Sequence, residues 1–349
     1  MGILAVKVGR KLPSTRYLGS KRKLVDWIWS HIGHLDFDVF LDAFGGTGVV
    51  GYYAKMHGKK VIYNDILRFN YMVGLAIIEN DSVRLSEEDV EFISSYHEEI
   101  TYPSFIADTF SGLYYTDEEN RWLDMAVTNI MALEDTYKRA LAFSALGQAC
   151  LVKRPFNLFH RANLSMRLRN VKRSFGNHIT WNRPFEELFR RFVAELNEAV
   201  FSNGRRNLAL NMDVFELDVD ADLVYLDPPY VPARGEVPDY RLYYHFLEGL
   251  VNYDRWAEMI DPGSPLKAIK RDPSPWADRA RVRNAFRQVL KKFDYADHIV
   301  ISYRPDGIPS PGEIVGMLRR LGREVQVHRK HYKYALSPKD REELLFVAS

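Results

Sequence analysis

The chain has 349 residues, 46% of them hydrophobic, which is enough for one large α/β domain or for a domain with a substantial insertion. Its net charge of +2 does not by itself indicate a polyanionic partner, but the charge is unevenly distributed. The segment Glu79–Asp135 is acidic, whereas Lys153–Arg191 and Lys267–Ser349 are basic. Because the local field decides binding to a phosphate backbone, we favour nucleic acid over a merely solvated surface for Lys153–Arg191.

The single cysteine, Cys150, excludes an intramolecular disulfide framework and a cysteine-cluster zinc site. It suits a reducing compartment, so we expect a cytoplasmic protein, and we expect no bound metal. Residues 1–10 lack the apolar core and cleavage site of a signal peptide. The sequence contains no run of about 18 apolar residues, so no membrane span is expected.

The first unusual stretch of the chain is Arg16–Leu24, in which Gly19 and Ser20 indicate a turn before a helical pattern. This turn carries an aromatic ring and an ammonium group, Tyr17 and Lys21. The two groups could hold the carboxylate of a small zwitterion. A basic loop before a helix is the commoner interpretation of such a stretch.

A nucleotide-binding pattern follows. Val39–Ala43 predicts a buried strand, and the glycine-rich Phe44–Gly51 leads into a predicted helix, Tyr52–His57. The spacing Gly-x-Gly-x-x-Gly within the loop permits a tight turn and close approach of a ligand. A second predicted strand, Lys59–Asp65, ends in an acid of the kind that receives ribose hydroxyls. We therefore predict an adenosine-containing cofactor, and the glycine loop alone does not choose between nicotinamide and S-adenosylmethionine.

More chain separates Asp65 from the next strand-like run than a crossover connection needs, so we predict an inserted helical domain. We assign residues 1–78 and 206–349 to two parts of a catalytic domain and residues 79–205 to an inserted target-recognition region. A basic, DNA-facing segment is expected at about 231–292. Within Arg154–Asn163, aromatic, amide and cationic groups suit base edges and stacking.

The candidate DNA-contacting residues have two expected roles. Short or forked polar groups suit base edges, whereas densely spaced cations suit phosphates. A cationic helix face with a four-residue repeat forms a second phosphate-binding surface. The full set is Arg154, Asn157, His160, Arg161, Asn163, Arg167, Arg169, Lys172, Arg173, Arg279, Arg283 and Arg287.

The most informative stretch is Leu223–Tyr230. Its apolar half predicts a short buried strand, which two consecutive prolines must end because they cannot donate ladder hydrogen bonds. The residues that follow supply a carboxylate, carbonyls without adjacent amide hydrogens, and an aromatic face: Asp227, Pro228, Pro229 and Tyr230. Such a site can accept two hydrogen bonds from an amino group and stack on the ring that carries it. A strand end with a packed tyrosine is the alternative.

In a doubly wound sheet, ligands collect at the carboxyl ends of the strands, so the glycine loop, Asp65 and Asp227 should converge on one cleft. Asp213 either ends another strand and binds the adenine of a cofactor or is a simple turn acid. His245 is expected to be a packed or capping residue. Val325–His328 and Leu344–Val347 are predicted to be the last pair of strands.

These motifs, in this order, resemble the Dam-like class of DNA adenine-N6 methyltransferases. The resemblance rests on Arg16–Lys21, Phe44–Gly48, Asn64-Asp65 and Asp227–Tyr230, and it covers the catalytic half of the chain well. The cofactor loop precedes the catalytic loop, as in the alpha arrangement of amino-methyltransferases. The sequence departs from the family in having tyrosine at position 17, where tryptophan is frequent, and serine at position 20.

The resemblance implies a Rossmann-like, doubly wound, mostly parallel seven-stranded sheet with an inserted helical DNA-recognition region. It implies base flipping and methyl transfer from S-adenosylmethionine to adenine N6 in duplex DNA, in a restriction-modification or phage setting, and it leaves open a separately encoded restriction endonuclease as partner. The resemblance implies a cofactor cleft touched by Tyr17, Lys21, Asp65 and Asp227. With the glycine loop and the other strand ends, the full set of candidate cofactor-binding residues is Tyr17, Lys21, Asp42, Phe44, Gly45, Gly46, Thr47, Gly48, Asn64, Asp65, Asp213 and Asp227.

Three alternatives stay open at this point. A cytosine-N4 methyltransferase uses the same amine chemistry, although serine is more often expected before Pro-Pro in that class. A non-enzymatic nucleic-acid-binding module would need the basic block but not the glycine loop. A dehydrogenase is the third alternative.

Overall fold

The computed structural model describes residues 12–169, 177–270, 274–332 and 341–349. Its strands are β1 (Val39–Asp42), β2 (Lys60–Asn64), β3 (Leu208–Leu210), β4 (Leu223–Leu226), β5 (Val231–Pro232), β6 (His298–Tyr303), β7 (Gly307–Ile308), β8 (Val325–Tyr332) and β9 (Arg341–Ala348). Seven of them form one sheet in the order β3-β2-β1-β4-β6-β9-β8, and β5 pairs with β7 in a separate ribbon.

The sheet is parallel from β3 to β6, and β9 runs antiparallel to both β6 and β8. The chain builds outwards from β1 to β3 on one side and then from β4 to β6 on the other. The switch of direction therefore lies between β1 and β4, which is where ligands bind in doubly wound sheets.

The sheet is covered on both faces, which explains why its central strands read as continuous apolar runs. Along β4, Leu223 and Tyr225 belong to one core, and Val224 and Leu226 to the other. All four residues are buried. The apolar run that predicted this strand is therefore a consequence of burial on both sides.

The helices surround this sheet, and many of them lie between β2 and β3. Their bounds are α1 (Val25–Ile32), α2 (Val49–Met56), α3 (Arg68–Val73), α4 (Glu87–Ser94), α5 (Phe105–Thr109), α6 (Asp117–Ala132), α7 (Thr136–Val152), α8 (Leu164–Leu168), α9 (Asn177–Asn182), α10 (Phe185–Ala199), α11 (Tyr240–Leu250), α12 (Trp256–Met259), α13 (Val282–Lys292) and α14 (Pro311–Arg320). A π-helical turn, Gly74–Glu79, continues α3.

The predicted α/β class and the mostly parallel seven-stranded sheet are confirmed, and β8 and β9 form the predicted last pair. One local prediction is wrong: helix α2 begins at Val49 rather than Tyr52, because Gly48, at φ +69°, turns the chain directly into it. Strand β3 ends at Leu210, so Asp213 lies in the turn beyond it, which is the second of the two alternatives for this residue. In the part of the chain that the structure describes, every helix is too short or too polar to span a lipid bilayer.

Candidate active site

Three acidic side chains follow neighbouring strands at the carboxyl edge of the sheet. Asp42 ends β1, Asp65 follows β2, and Asp227 follows β4. Strand β1 lies between β2 and β4, so the three carboxylates are adjacent. The predicted convergence of the glycine loop, Asp65 and Asp227 on one edge is therefore what the structure shows.

The glycine loop after β1 is held by bonds to the end of β2. Gly45 donates to the carbonyl of Asn64 at 2.8 Å, and Gly46 donates to Oδ2 of Asp65 at 2.9 Å. A Cβ on Gly45 would lie 2.0 Å from the ring of Tyr63, so only glycine permits this approach. Gly46 has φ +52°, a backbone conformation that also favours glycine. The loop is thus a preformed, open turn at the strand end.

Burial raises the pKa of two of the three acids. Asp42, which is 1% exposed, has a pKa raised to about 7, although the amide of Gly51 offsets the shift by donating to Oδ2 at 3.0 Å. The pKa of Asp65 is raised to about 6 by burial against the opposing hydrogen bonds from Leu67 and Gly46. Closely spaced buried carboxylates of this kind suit a cationic ligand.

Two residues predicted to bind the cofactor are used differently in the structure. The amide of Asn64 is 1% exposed, donates to the carbonyls of Ala43 and Met212, and accepts from the amide of Met212. It ties together the ends of three strands and has little surface for a ligand. The carboxylate of Asp213 accepts from the amide of Phe215 at 3.1 Å, as a turn acid does.

The N-terminal turn lies over the glycine loop. The ring of Tyr17 stacks on Tyr244 of α11, with centroids 4.5 Å apart and planes 8° apart. Its hydroxyl accepts a hydrogen bond from Asn70, and a Cβ on Gly46 would lie 3.7 Å from its ring. Tyr17 lines a cavity together with side chains of the glycine loop, α3 and α7, among them Thr47, Phe69, Ser144 and Gln148.

Lys21 lies apart from Tyr17, at the catalytic motif. Its ammonium is 2.9 Å from Oδ2 of Asp227, 2.9 Å from the Tyr230 hydroxyl and 3.3 Å from Oε1 of Glu343. Lys21 itself is 5% exposed. Burial alone lowers the pKa of Lys21, but the charges of Asp227 and Glu343 raise it well above its ordinary value. The expectation that Lys21 binds the cofactor's carboxylate does not match this arrangement.

Glu343 was not among the predicted site residues; it is 2% exposed, and its Oε1 lies 2.8 Å from the Tyr230 hydroxyl oxygen. Because β9 is antiparallel to β6, its first residues lie at the edge where the parallel strands end. An acid at the start of a strand can therefore reach the same site as acids at the ends of others. The signal available was a charged residue directly before the apolar run of β9.

The catalytic loop is fixed on both sides. The strand before it is fully buried, and β5 after it pairs with β7. The ring of Tyr230 packs edge-on against Tyr303 of β6, with centroids 5.4 Å apart. The hydroxyl oxygen of Tyr230 lies 2.8 Å from Oδ1 of Asp227, within hydrogen-bond distance. The two prolines, Pro228 buried and Pro229 partly buried, thus connect a carboxylate and an aromatic ring in fixed positions.

Two arginines predicted to contact DNA are buried instead. Arg154 is 1% exposed, and its guanidinium donates to three carbonyls of the loop that follows it. Arg167 forms bonds of 2.7 and 2.8 Å with the carboxylate of Glu119, which also pairs with the buried Lys153. For Arg154 and Arg167 the structure does not support DNA contact, because their charged groups hold the loop from within.

Other members of the predicted set remain accessible. Arg161 and Arg169 are exposed, and Asn157, His160 and Asn163 are partly exposed. Asn157 and Asn163 have φ values of +56° and +57°, so the loop presents them in a constrained backbone. Lys172 and Arg173 lie outside the described residues.

The predicted cationic helix face is smaller than expected. Helix α13 begins at Val282, so Arg279 lies before it and donates to the carbonyls of Pro232 and Gly235. Arg283 pairs with Glu313 at 2.7 Å. Arg287 is exposed on the helix. Within the described ranges, no group of three or more His, Cys, Asp or Glu side chains could hold a metal ion.

Comparison with known proteins finds relatives that cover most of this chain. The chain is 32% identical over 348 residues to the type II methyltransferase M2.HphI of Haemophilus parahaemolyticus, covering 97% of this chain and 98% of that protein. It is 26% identical to the type II methyltransferase M.NlaIII of Neisseria lactamica, with 91% and 92% covered. It is also 26% identical to the type II methyltransferase M.FokI of Planomicrobium okeanokoites, with 88% of this chain but only 47% of that protein covered.

The family model matches residues 17–254, a span that contains the N-terminal turn, the glycine loop and the catalytic motif. This match, together with a relative above 30% identity over nearly the whole chain, identifies the family. The chain belongs to the D12 class of N6 adenine-specific DNA methyltransferases.

Proposed function

We propose that S-adenosylmethionine is the methyl donor and that it binds at the carboxyl edge of the sheet, between the glycine loop and Asp227. The observation that carries this proposal is the adjacency of Asp42, Asp65 and Asp227 at the ends of β1, β2 and β4. The acceptor is the N6 amino group of an adenine in a specific duplex sequence, as the family of the chain indicates.

The residues at this edge fit such a cofactor. Asp65 already accepts from two backbone amides, and its carboxylate oxygens keep lone pairs for ribose hydroxyls. Gly46 and Gly48 leave the loop without side chains where a ligand would approach. The carboxylates suit the positive sulfonium and amino groups. When bound, S-adenosylmethionine supplies an electrophilic methyl group.

The catalytic motif would activate the amine. The lone pair of an exocyclic adenine amine is delocalised into the ring, so this nitrogen is a poor nucleophile. A carboxylate oxygen of Asp227 and the carbonyl of Pro228 can accept its two hydrogens, which moves the nitrogen towards sp³ geometry and frees the lone pair. After the new N–C bond forms, the nitrogen releases one proton, for which Asp227 is the adjacent acceptor.

The base must leave the duplex to reach this motif, so we propose base flipping, with the ring of Tyr230 beside the flipped adenine. The accessible polar residues Asn157, Arg161 and Asn163 are proposed to contact base edges, and Arg169 and Arg287 to contact phosphates. The four of these residues that precede Arg287 would make residues 79–205 the main recognition region. A separately encoded restriction endonuclease would share the recognition sequence and cut DNA that lacks the methyl group, and both proteins would act in the cytoplasm.

The test is methylation of DNA by the purified chain with labelled S-adenosylmethionine, followed by mass spectrometry of the nucleosides. We expect N6-methyladenine, and we expect Asp227→Ala to abolish it while the protein stays folded. Label in N4-methylcytosine would instead support the cytosine alternative. Tight binding of NAD without any response to S-adenosylhomocysteine in calorimetry would refute the proposed donor.

A further inference from the structure

We infer that Glu343 is a positioning residue of the methyl-transfer reaction. It takes the hydroxyl hydrogen of Tyr230 and shares the charge of Lys21, and thereby leaves Asp227 free to accept the hydrogens of the adenine amine. This inference rests on the proposed function, because it depends on Asp227 being the acceptor. It adds a residue from β9, which lies outside the span matched by the family model.

Two carboxylates lie within hydrogen-bond distance of the Tyr230 hydroxyl. The hydroxyl oxygen lies 2.8 Å from Oδ1 of Asp227 and 2.8 Å from Oε1 of Glu343. It also accepts a hydrogen bond from Lys21 at 2.9 Å. A phenol has one hydrogen, so only one of the two carboxylates can receive it at a time. The two acids therefore compete for a single donor.

The outcome of this competition matters for the reaction. If the hydrogen points to Asp227, it occupies Oδ1 and withdraws electron density from the group that must bind the amine. If it points to Glu343, the lone pairs of Oδ1 stay available. A charge-assisted hydrogen bond of this type is about twice as strong as a neutral one, so the loss to the amine would be substantial.

Burial decides which acid takes the hydrogen. The side chain of Glu343 is 3% exposed, whereas that of Asp227 is 18% exposed and lies at the open edge of the sheet. A buried carboxylate has no water to replace a missing donor, so leaving it without one is costly. Asp227 can turn to water or to a substrate amine instead. The arrangement therefore favours donation from Tyr230 to Glu343.

Glu343 and Asp227 also share the positive charge of Lys21. Lys21 is 5% exposed, so its ammonium must be paired, and the ammonium lies 2.9 Å from Asp227 and 3.3 Å from Glu343. Without Glu343, Lys21 would pair with Asp227 alone, and the oxygens of Asp227 would be less available to the substrate amine. With Glu343 present, two carboxylates share one ammonium, and the group keeps a negative charge for the amine.

The experiment is a double-mutant cycle measured by single-turnover methylation with excess enzyme. Glu343→Gln keeps the shape of the side chain but makes it a weaker acceptor, so we expect the rate to fall by about 10- to 100-fold. The dissociation constants for S-adenosylmethionine and DNA should change by less than about threefold. Tyr230→Phe removes the competing hydrogen and should by itself have a small effect.

The decisive variant combines both substitutions. If the phenol hydrogen blocks Asp227 in Glu343→Gln, then adding Tyr230→Phe should recover the rate by at least about fivefold. Glu342→Gln is the matched control, because this neighbouring acid in β9 pairs with Arg329 at 3.2 Å and not with the catalytic motif. Its rate should equal that of the wild type. A purely structural glutamate would give no such rescue.

Three results would overturn the inference while leaving the proposed function intact. They are a wild-type rate in Glu343→Gln, a double variant no faster than Glu343→Gln, and a loss of rate that follows the unfolded fraction in thermal denaturation. If Glu343→Gln does not fold, Glu343→Asp keeps the charge but withdraws the carboxylate, and the same rescue is expected. Absence of N6-methyladenine with the wild-type protein would refute the proposed function instead.

Discussion

The buried carboxyl of Asp42 should make the stability of the protein depend on pH. Asp42 ends β1, is 1% exposed, and accepts one hydrogen bond from the amide of Gly51. Burial raises its pKa from an ordinary value of 3.8 to about 7. The substitution Asp42→Asn keeps an oxygen acceptor for Gly51 and removes the titration, so it isolates the contribution of this one group.

The sign follows from proton binding. The pKa is raised in the folded state, so the folded protein holds this proton more tightly than the unfolded chain does. The stability contribution of Asp42 is therefore greatest at low pH, falls as the pH rises from about 4 to about 7, and is constant above that. Each pH unit in this window costs about 1.4 kcal/mol. Between about pH 5.5 and about pH 8, Asp42 should lower the free energy of unfolding by about 2 kcal/mol.

The assay is urea denaturation of the wild type and of Asp42→Asn at both pH values. The variant should gain about 2 kcal/mol relative to the wild type on going from the lower to the higher pH. Titrating groups that do not interact with Asp42 cancel in this difference. Asp81→Asn, at an exposed aspartate, should follow the wild type. A difference between Asp42→Asn and the wild type that stays constant with pH would refute this account of the buried carboxyl.

Three further predictions concern the cofactor, the loop and DNA. Asp65→Ala should weaken S-adenosylhomocysteine binding in calorimetry by about 1–3 kcal/mol, since ligand hydroxyls lose their acceptor, and an unchanged constant would remove Asp65 from the site. Glu119→Gln should lower the free energy of unfolding by about 3–5 kcal/mol, because it leaves Lys153 and Arg167 buried without their carboxylate; a change below about 1 kcal/mol in urea denaturation would contradict this. Arg169→Gln should weaken binding to cognate and random duplexes alike and lower the salt slope by about one unit, whereas an unchanged slope would place the phosphate contact elsewhere.

The sequence predicted best those features that a local pattern determines. Leu223–Leu226 is a strand because both faces of the sheet are covered, and the prolines after it must end it. The glycine loop and Asp65 were found because close backbone approach and ribose binding each require a particular residue type at a strand end. These constraints act within a few residues, so a single sequence reveals them.

Features that depend on distant contacts were not predicted. Glu343 reaches the catalytic edge only because β9 runs antiparallel to its neighbours, which no local pattern shows. Arg154 and Arg167 occur in a basic segment and looked available for DNA, but carbonyls and one carboxylate, Glu119, occupy their guanidinium groups. Charge density in a sequence therefore overestimates the cationic surface, because it does not distinguish buried from exposed arginines.

The N-terminal turn shows how such contacts join the two halves of the site. Tyr17 and Lys21 are four residues apart, yet Tyr17 packs on Tyr244 above the glycine loop and Lys21 binds Asp227 and Glu343. One short turn thus contacts both the proposed cofactor cleft and the catalytic motif. Packed elements transmit a displacement instead of absorbing it. A movement of Tyr17 on cofactor binding would therefore displace Lys21, whose ammonium orients Asp227. The N-terminal turn would therefore align the proposed methyl donor with Asp227, the proposed acceptor of the amine hydrogens.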